Sequence, residues 1–273
     1  MNDIVVRKMD FSFPEGLDPV VVEGDPEESF TVLGLSLLLP YLEPYLIRTM
    51  KAAKKQISDP VLLDQAERFS AQEGHHYRAH MRLNTAFDRT KFPRLSELEA
   101  ELAADYKRFS TEKSLRFNLA YAEGFEALTT AFARFSFEGG ANPAMREDVG
   151  RLFAWHMIEE LEHRTVAFDV FGHVCGSYPY RLIFGTYAQW HMASWIRKVT
   201  IYMLSMDTEA LERCGGMEGL KQRQRMKFAD MRKRLLPRVL RTFSPWYTPH
   251  DISFTSDMEM MAAQYSEQAI ETR

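Results

Sequence analysis

Glu-x-x-His occurs twice in this chain, as Glu73-x-x-His76 in ERFSAQEGHHYRAH and as Glu160-x-x-His163 in WHMIEELEHRTVAFDV. On an α-helix a spacing of three turns the side chain by about 300°, so the members of each pair share a face, one turn apart, and can clasp one ion. One copy is weak evidence, because such triplets arise by chance on exposed helices. Two copies are stronger, and each follows a helix that carries a glutamate among apolar residues: Glu43 in LLLPYLEPYLI and Glu126 in LAYAEGFEALTTAFA. Four glutamates buried together repel one another and take up protons unless a cation joins them. The pattern Glu, Glu-x-x-His, Glu, Glu-x-x-His therefore demands a fold in which four helices turn these residues toward one point.

The rest of the sequence agrees with helices. From Ser29 onward apolar residues recur at three- and four-residue intervals, the mark of amphipathic helices. Helices are expected over roughly 30–55, 59–87, 95–108, 113–137, 145–171, 180–206, 208–214 and 217–242. Asp59-Pro60 supplies a cap and a first-position proline, and Gly139-Gly140-Ala141-Asn142-Pro143 separates two long helices. The first residues are acidic and broken by Pro14, Gly16, Pro19, Gly24 and Pro26, a composition of turns and extended pieces. With no long linker, the expectation is one domain over 1–273: an irregular arm over 1–29, a four-helix bundle over 30–171, and a helical extension over 172–273 packed on the bundle. The fold class is all-α, a ferritin-like four-helix bundle with additional C-terminal helices.

That order of ligands is the one used by ferritin-like di-iron and di-manganese carboxylate bundles. Four carboxylates balance two divalent cations, and their hard oxygens with two imidazoles suit iron, with manganese or zinc as alternatives. The candidate metal ligands are Glu43, Glu73, His76, Glu126, Glu160 and His163, with Glu123, one turn before Glu126 on the same face, as its substitute. Gln72 and Glu159, each just before a ligand, are candidates for bonding the outer nitrogens of the imidazoles. His80 and His156, one turn from His76 and from Glu160, are candidates to face the substrate or to support the ligands, whereas His75 points elsewhere.

At these residues the chain resembles the bacterial family of predicted metal-dependent hydrolases. The resemblance is carried by TVLGLSLLLPYLEPYLIRTM, FSAQEGHHYRAHMRLN, WHMIEELEHRTVAFDV and FSPWYTPHD, and covers roughly Phe13 to Asp251. It implies an organisation similar to the ferritin-like di-metal proteins, and it favours Glu126 over Glu123 by aligning FEALTT with the family's third-helix glutamate. Where that family has a histidine after the glutamate, this chain has Ala127. Where oxygen-activating relatives have an arginine before the last histidine, it has Glu162.

Two reactions follow from such a centre. The favoured expectation is a di-iron enzyme that activates O2 to oxidise an apolar organic substrate; the alternatives are hydrolysis by a metal-bridging hydroxide and non-catalytic metal binding. The helix over 180–206, with Phe184, Tyr187, Trp190 and Trp195, leaves room for an apolar or acyl small-molecule substrate. The net charge of −4 excludes a global nucleic-acid affinity. The basic segment 217–242 is usually a solvated face, and it also suits a peripheral membrane or carrier-protein contact. His250 and Asp251 either reach the site or close the fold. Two cysteines, Cys175 and Cys214, fit no disulfide framework. The apolar stretches 31–50 and 181–204 are interrupted by charges, and the start MNDIVVRKMDFSFPEG has no secretory pattern, so the expected location is cytoplasmic. Assembly into a homo-oligomer is compatible with the sequence.

Overall fold

Asp25 begins the helical body: its carboxylate accepts the Glu28 N–H at 3.0 Å, and Pro26 fills the first position of α1, Pro26–Ala53. The computed structural model of the chain describes residues 4–139 and 144–270. Of the expected break at 139–143, residues 140–143 lie outside the described residues. After α1 come α2 (Pro60–Ala86), α3 (Leu95–Glu112), α4 (Leu115–Phe137) and α5 (Glu147–His163). Then follow α6 (Val166–Val174), α7 (Tyr178–Met206), α8 (Thr208–Arg213), α9 (Gly216–Asp230), α10 (Leu236–Thr242) and α11 (Ser256–Gln268). The fold is all-α, and among the described residues the only β pairing is two isolated bridges, Leu17 with Phe87 and Val22 with Met145.

The four helices that carry the glutamates pack around one another, α1 on α2, α4 on α5, α1 on α4 and α2 on α5. α1 keeps its course through Pro40 because the carbonyl that this proline leaves without an N–H, that of Ser36, accepts the Asn84 side-chain amide at 2.8 Å. Together with the short 3-10 turn that follows it, α1 is long and apolar enough to cross a bilayer, yet Leu33, Leu37, Leu42 and Leu46 are fully buried inside the molecule. α7 lies against α4 at a glycine pair: a Cβ on Gly124 would sit 2.3 Å from the Gly185 Cα.

Several boundaries differ from the sequence reading. The arm ends at Asp25, not at residue 29, because capping by Asp25 lets the helix start at Pro26. The helix expected over 145–171 is two helices: the Arg164 guanidinium takes the Leu161 carbonyl and also reaches those of Pro249 and Ile252, which satisfies the end of α5. The helix expected over 217–242 is interrupted by a π-turn at Met231–Leu235, just before Pro237, whose missing N–H cannot continue the α ladder. α11 was not expected. The arm is no loose cover: Leu17 exchanges backbone hydrogen bonds with Ala86 and Asp88 at the end of α2, and Val21 accepts from Arg146 before α5.

Candidate metal centre

The side chains of Glu43 (α1), Glu73 and His76 (α2), Glu126 (α4), and Glu160 and His163 (α5) meet in the middle of the four helices, each at most 1% exposed. His163 Nε2 lies 3.3 Å from Glu73 Oε1, 3.3 Å from Glu126 Oε2 and 3.5 Å from Glu160 Oε1. His76 Nδ1 lies 4.0 Å from Glu73 Oε2 and 3.8 Å from Glu160 Oε1. These atoms form overlapping groups with the spacing of a metal site: Glu73, Glu126 and His163; Glu73, His76 and Glu160; and Glu43, His76 and His156. Glu73 and His76 each belong to two of them and so link the groups.

The outer nitrogens of the imidazoles are fixed crosswise. Gln72 on α2 donates its amide to the Val5 carbonyl and to Glu162, which turns its oxygen toward His163 Nδ1 at 2.9 Å. His163 Nδ1–H therefore donates, and Nε2 is the nitrogen left to face the carboxylates, where it holds a proton or a cation. Glu159 on α5 stands 2.9 Å from His76 Nε2; with Glu159 ionised, Nε2–H donates to it and Nδ1 is left bare toward Glu73 and Glu160. Glu159 is in turn held by Trp155 Nε1 at 2.9 Å and by Arg7 at 3.2 Å, while Arg7 makes a forked pair with Glu162 at 2.9 and 2.7 Å. Arg7 comes from the N-terminal arm and is only 2% exposed. Nothing in the periodicity of the sequence marks it, because the arm has none.

A second chain of hydrogen bonds fixes His156. The Asn84 amide donates to the Ser36 carbonyl, so its oxygen accepts the Ser36 hydroxyl proton at 2.7 Å. The Ser36 oxygen must then accept from His80 Nδ1 at 2.9 Å, and His80 Nε2, bare, accepts from His156 Nδ1 at 2.8 Å. Burial keeps His80 well below the ordinary imidazole range, hence neutral. In the neutral His156 this leaves Nε2 without a proton, 2.9 Å from Glu160 Oε1 and 3.6 Å from Glu43 Oε1. A lone pair facing a carboxylate at that distance needs a proton or a cation between them. The sequence reading placed His156 with His80 outside the ligands; the structure groups it with Glu43 and His76. The signal was present as His156-x-x-x-Glu160, an i,i+4 spacing that extends the second Glu-x-x-His by a turn.

The chemistry of the donor set fits cations. Both oxygens of Glu43, Glu73 and Glu126, with Glu160 Oε2, His76 Nδ1 and His163 Nε2, are buried without a hydrogen-bond partner among the described residues. Native proteins rarely tolerate such orphaned groups. Burial, reinforced by Glu160, lifts Glu43 and Glu73 well above the usual carboxyl range and Glu126 to about 7. Glu160 is held well below it, against its own burial, by His163 and His156, and His163 is driven up by Glu160 and Glu126 despite desolvation. Without an ion the cluster thus neutralises itself with protons; two divalent cations would do so with charge to match.

Glu123 is not among the residues grouped with Glu126. Its carboxylate turns away to Arg181 at 2.9 Å, a guanidinium that α7 delivers beside the Gly124–Gly185 contact. His250 bonds Asp169 at 2.8 Å and Asp251 lies 3.5 Å from Arg241, so both close the surface and neither enters the cluster. His75 is also outside it.

Among curated proteins and among solved structures none matches the chain. A family model does: residues 5–253, which include Arg7 and every ligand candidate, match the one described as predicted metal-dependent hydrolase. By that match over most of its length, the chain belongs to the family of predicted metal-dependent hydrolases.

Proposed function

We propose that the chain is a two-metal hydrolase in which Glu43, Glu73, His76, Glu126, Glu160 and His163, joined by His156, hold two divalent cations. One observation carries the reading: imidazole nitrogens and carboxylate oxygens, all buried and without hydrogen-bond partners among the described residues, converge in the core. Iron or manganese suits the mixed oxygen and nitrogen donors best, and zinc is admissible. Bound there, the ions would lower the pKa of a water and polarise the bond it attacks. The chain's own residues hold and orient. Gln72 and Glu159 keep the two Glu-x-x-His imidazoles in the binding tautomer, Arg7 holds Glu159 and Glu162 in place, and Ser36, His80 and Asn84 hold the proton on His156 Nδ1.

Hydrolysis is preferred because it is the activity in the family's description, which lends no support to the expected oxidation. Oxidation with O2 stays as the second reading for one reason: the ligands are sealed from water. Metal analysis by plasma mass spectrometry on anaerobically purified protein tests the centre, with about two ions per chain expected. The Glu73→Ala/Glu160→Ala double variant should keep its helical circular dichroism and lose both ions; stoichiometric metal in that variant would remove the assignment. Turnover of ester, amide or phosphoester panels without O2 would support hydrolysis, whereas an optical band and O2 uptake on aeration would support oxidation.

A further inference from the structure

One turn after Glu126, α4 forms the wall of a small basic pocket. Its volume is about 300 Å³, at the lower end of the ~300–1,000 Å³ of small-ligand clefts. Thr130 and Arg134 line it from α4, and the π-turn and α10, which pack on α4, add Lys233, Arg234, Arg238 and Arg241. These cations do not find enough acids to cancel them. Three carboxylates pair with the five: Glu138 with both Arg134 and Arg238, each at 2.7 Å, and Asp230 with Arg234 and Asp251 with Arg241, each at 3.5 Å. Five against three leaves two positive charges, and none of these carboxylates lines the pocket. The Asp230 and Asp251 side chains are 40% and 59% exposed, so water screens their pairs. Lys233 makes no ion pair among the described residues. Glu123, which also faces Tyr247 in the pocket wall, is taken by Arg181.

Hydrogen-bond donors in the same walls lack partners. Thr129 takes the Glu126 carbonyl at 3.1 Å, the acceptor that Thr130, four residues on, would otherwise use. The Thr130 hydroxyl is left without a partner, on a residue only 1% exposed. Arg238 Nε is likewise buried and partnerless. Tyr247 is 7% exposed, its hydroxyl bonds nothing among the described residues, and burial raises its pKa, so it keeps a proton to donate. Orphaned donors beside surplus cations call for an oxyanion. Two surplus charges match a phosphate monoester, which carries about −1.5 to −2 at pH 7 and offers three outer oxygens to guanidiniums and hydroxyls, better than they match a singly charged carboxylate.

We infer that this pocket binds the phosphate group of a small phosphomonoester. None of the candidate metal ligands lines it, so the phosphate held here is not the group that the ions would attack. That the bound molecule is a substrate, with its scissile bond elsewhere, rests on the two-metal reading; the binding does not. The test is isothermal titration of the full chain, in phosphate-free buffer, with inorganic phosphate, phenyl phosphate and benzoate. Metal content is measured on the same samples before and after chelation, because phosphate also ligates metal ions. Both phosphates should bind at one per chain, phenyl phosphate no more weakly than inorganic phosphate, and benzoate about tenfold more weakly than either. Chelation should leave this binding in place. Thr130→Val removes a hydroxyl that bonds nothing else, and Lys233→Glu reverses an exposed, unpaired charge; each should weaken phenyl phosphate about tenfold with melting temperature and metal retained. Phosphate bound only by metal-loaded protein, benzoate bound as tightly, phenyl phosphate rejected, or binding unmoved by both variants overturns the inference. Wild-type protein that binds phenyl phosphate but no metal ends the two-metal reading and leaves the pocket assignment standing.

Discussion

The protons that the cluster holds when no metal is present make stability depend on pH in a definite direction. A carboxyl whose folded pKa is raised contributes stability that is full below its ordinary value and is lost as pH rises through the folded one. Glu43 and Glu73 are raised well above that ordinary value by burial, Glu126 to about 7 and Glu159 to about 8. His163, raised by Glu160 and Glu126, loses its proton in the same direction. His76 and His80 are lowered and act oppositely, but only up to about pH 7, above which the histidines of the unfolded chain are neutral as well. Chelator-treated protein should therefore lose melting temperature from about pH 7 to about pH 9, and saturating divalent metal should flatten the curve. A metal-free melting temperature that holds or rises over that range would contradict the protonated cluster. Arg7 makes a second prediction at this scale. Arg7→Ala strands Glu159 and Glu162 in the core and should destabilise the fold by ~3–5 kcal/mol in urea titrations, as removal of one partner of a buried pair does. A loss within ~0.5 kcal/mol would mean that water reaches these acids.

Helices were legible where one chemical signal fixed them and obscure where several weak ones competed. Asp59-Pro60 and the apolar periodicity located α2, and the two Glu-x-x-His strings located four of the clustered side chains, because spacing on a helix converts directly into a shared face. The end of α5 was hidden because Arg164 bonds carbonyls of residues 249 and 252, which are distant in sequence. Arg7 was hidden for the same reason, and Glu123 stayed a rival to Glu126 until Arg181 was seen to claim it. The α4–α7 contact that delivers Arg181 is itself testable. Gly124→Ala places a methyl against the Gly185 backbone and should cost ~1–3 kcal/mol, while Gly172→Ala, with open space around it inside α6, should stabilise by ~0.4–1 kcal/mol. Equal effects of the two in thermal unfolding would mean that α4 and α7 do not meet at these glycines.

At the scale of the molecule, the centre joins parts that are remote in the chain. Arg7 links the arm to Glu159 and Glu162 on α5 and, through its Nε, to Ser266 on α11 at 2.9 Å. Val5 is bound by Gln72 and by Glu162, and the Ile270 N–H donates to the Lys8 carbonyl at 2.8 Å. Arg7 meets Glu159 and Val5 meets Gln72, the two residues that orient the imidazoles, so metal binding and docking of the arm must favour one another, and by linkage the coupling is mutual. Removing the metal should therefore speed amide exchange in residues 5–11 and in α11 as well as around the ligands. Conversely, Gln72→Ala/Arg7→Ala protein should hold metal at least about tenfold more weakly, the range seen when outer partners of ligating histidines are lost. Exchange that quickens only near Glu73 and Glu160 on demetallation, with the arm unchanged, would show that the arm is merely packed on the bundle and has no part in setting the centre.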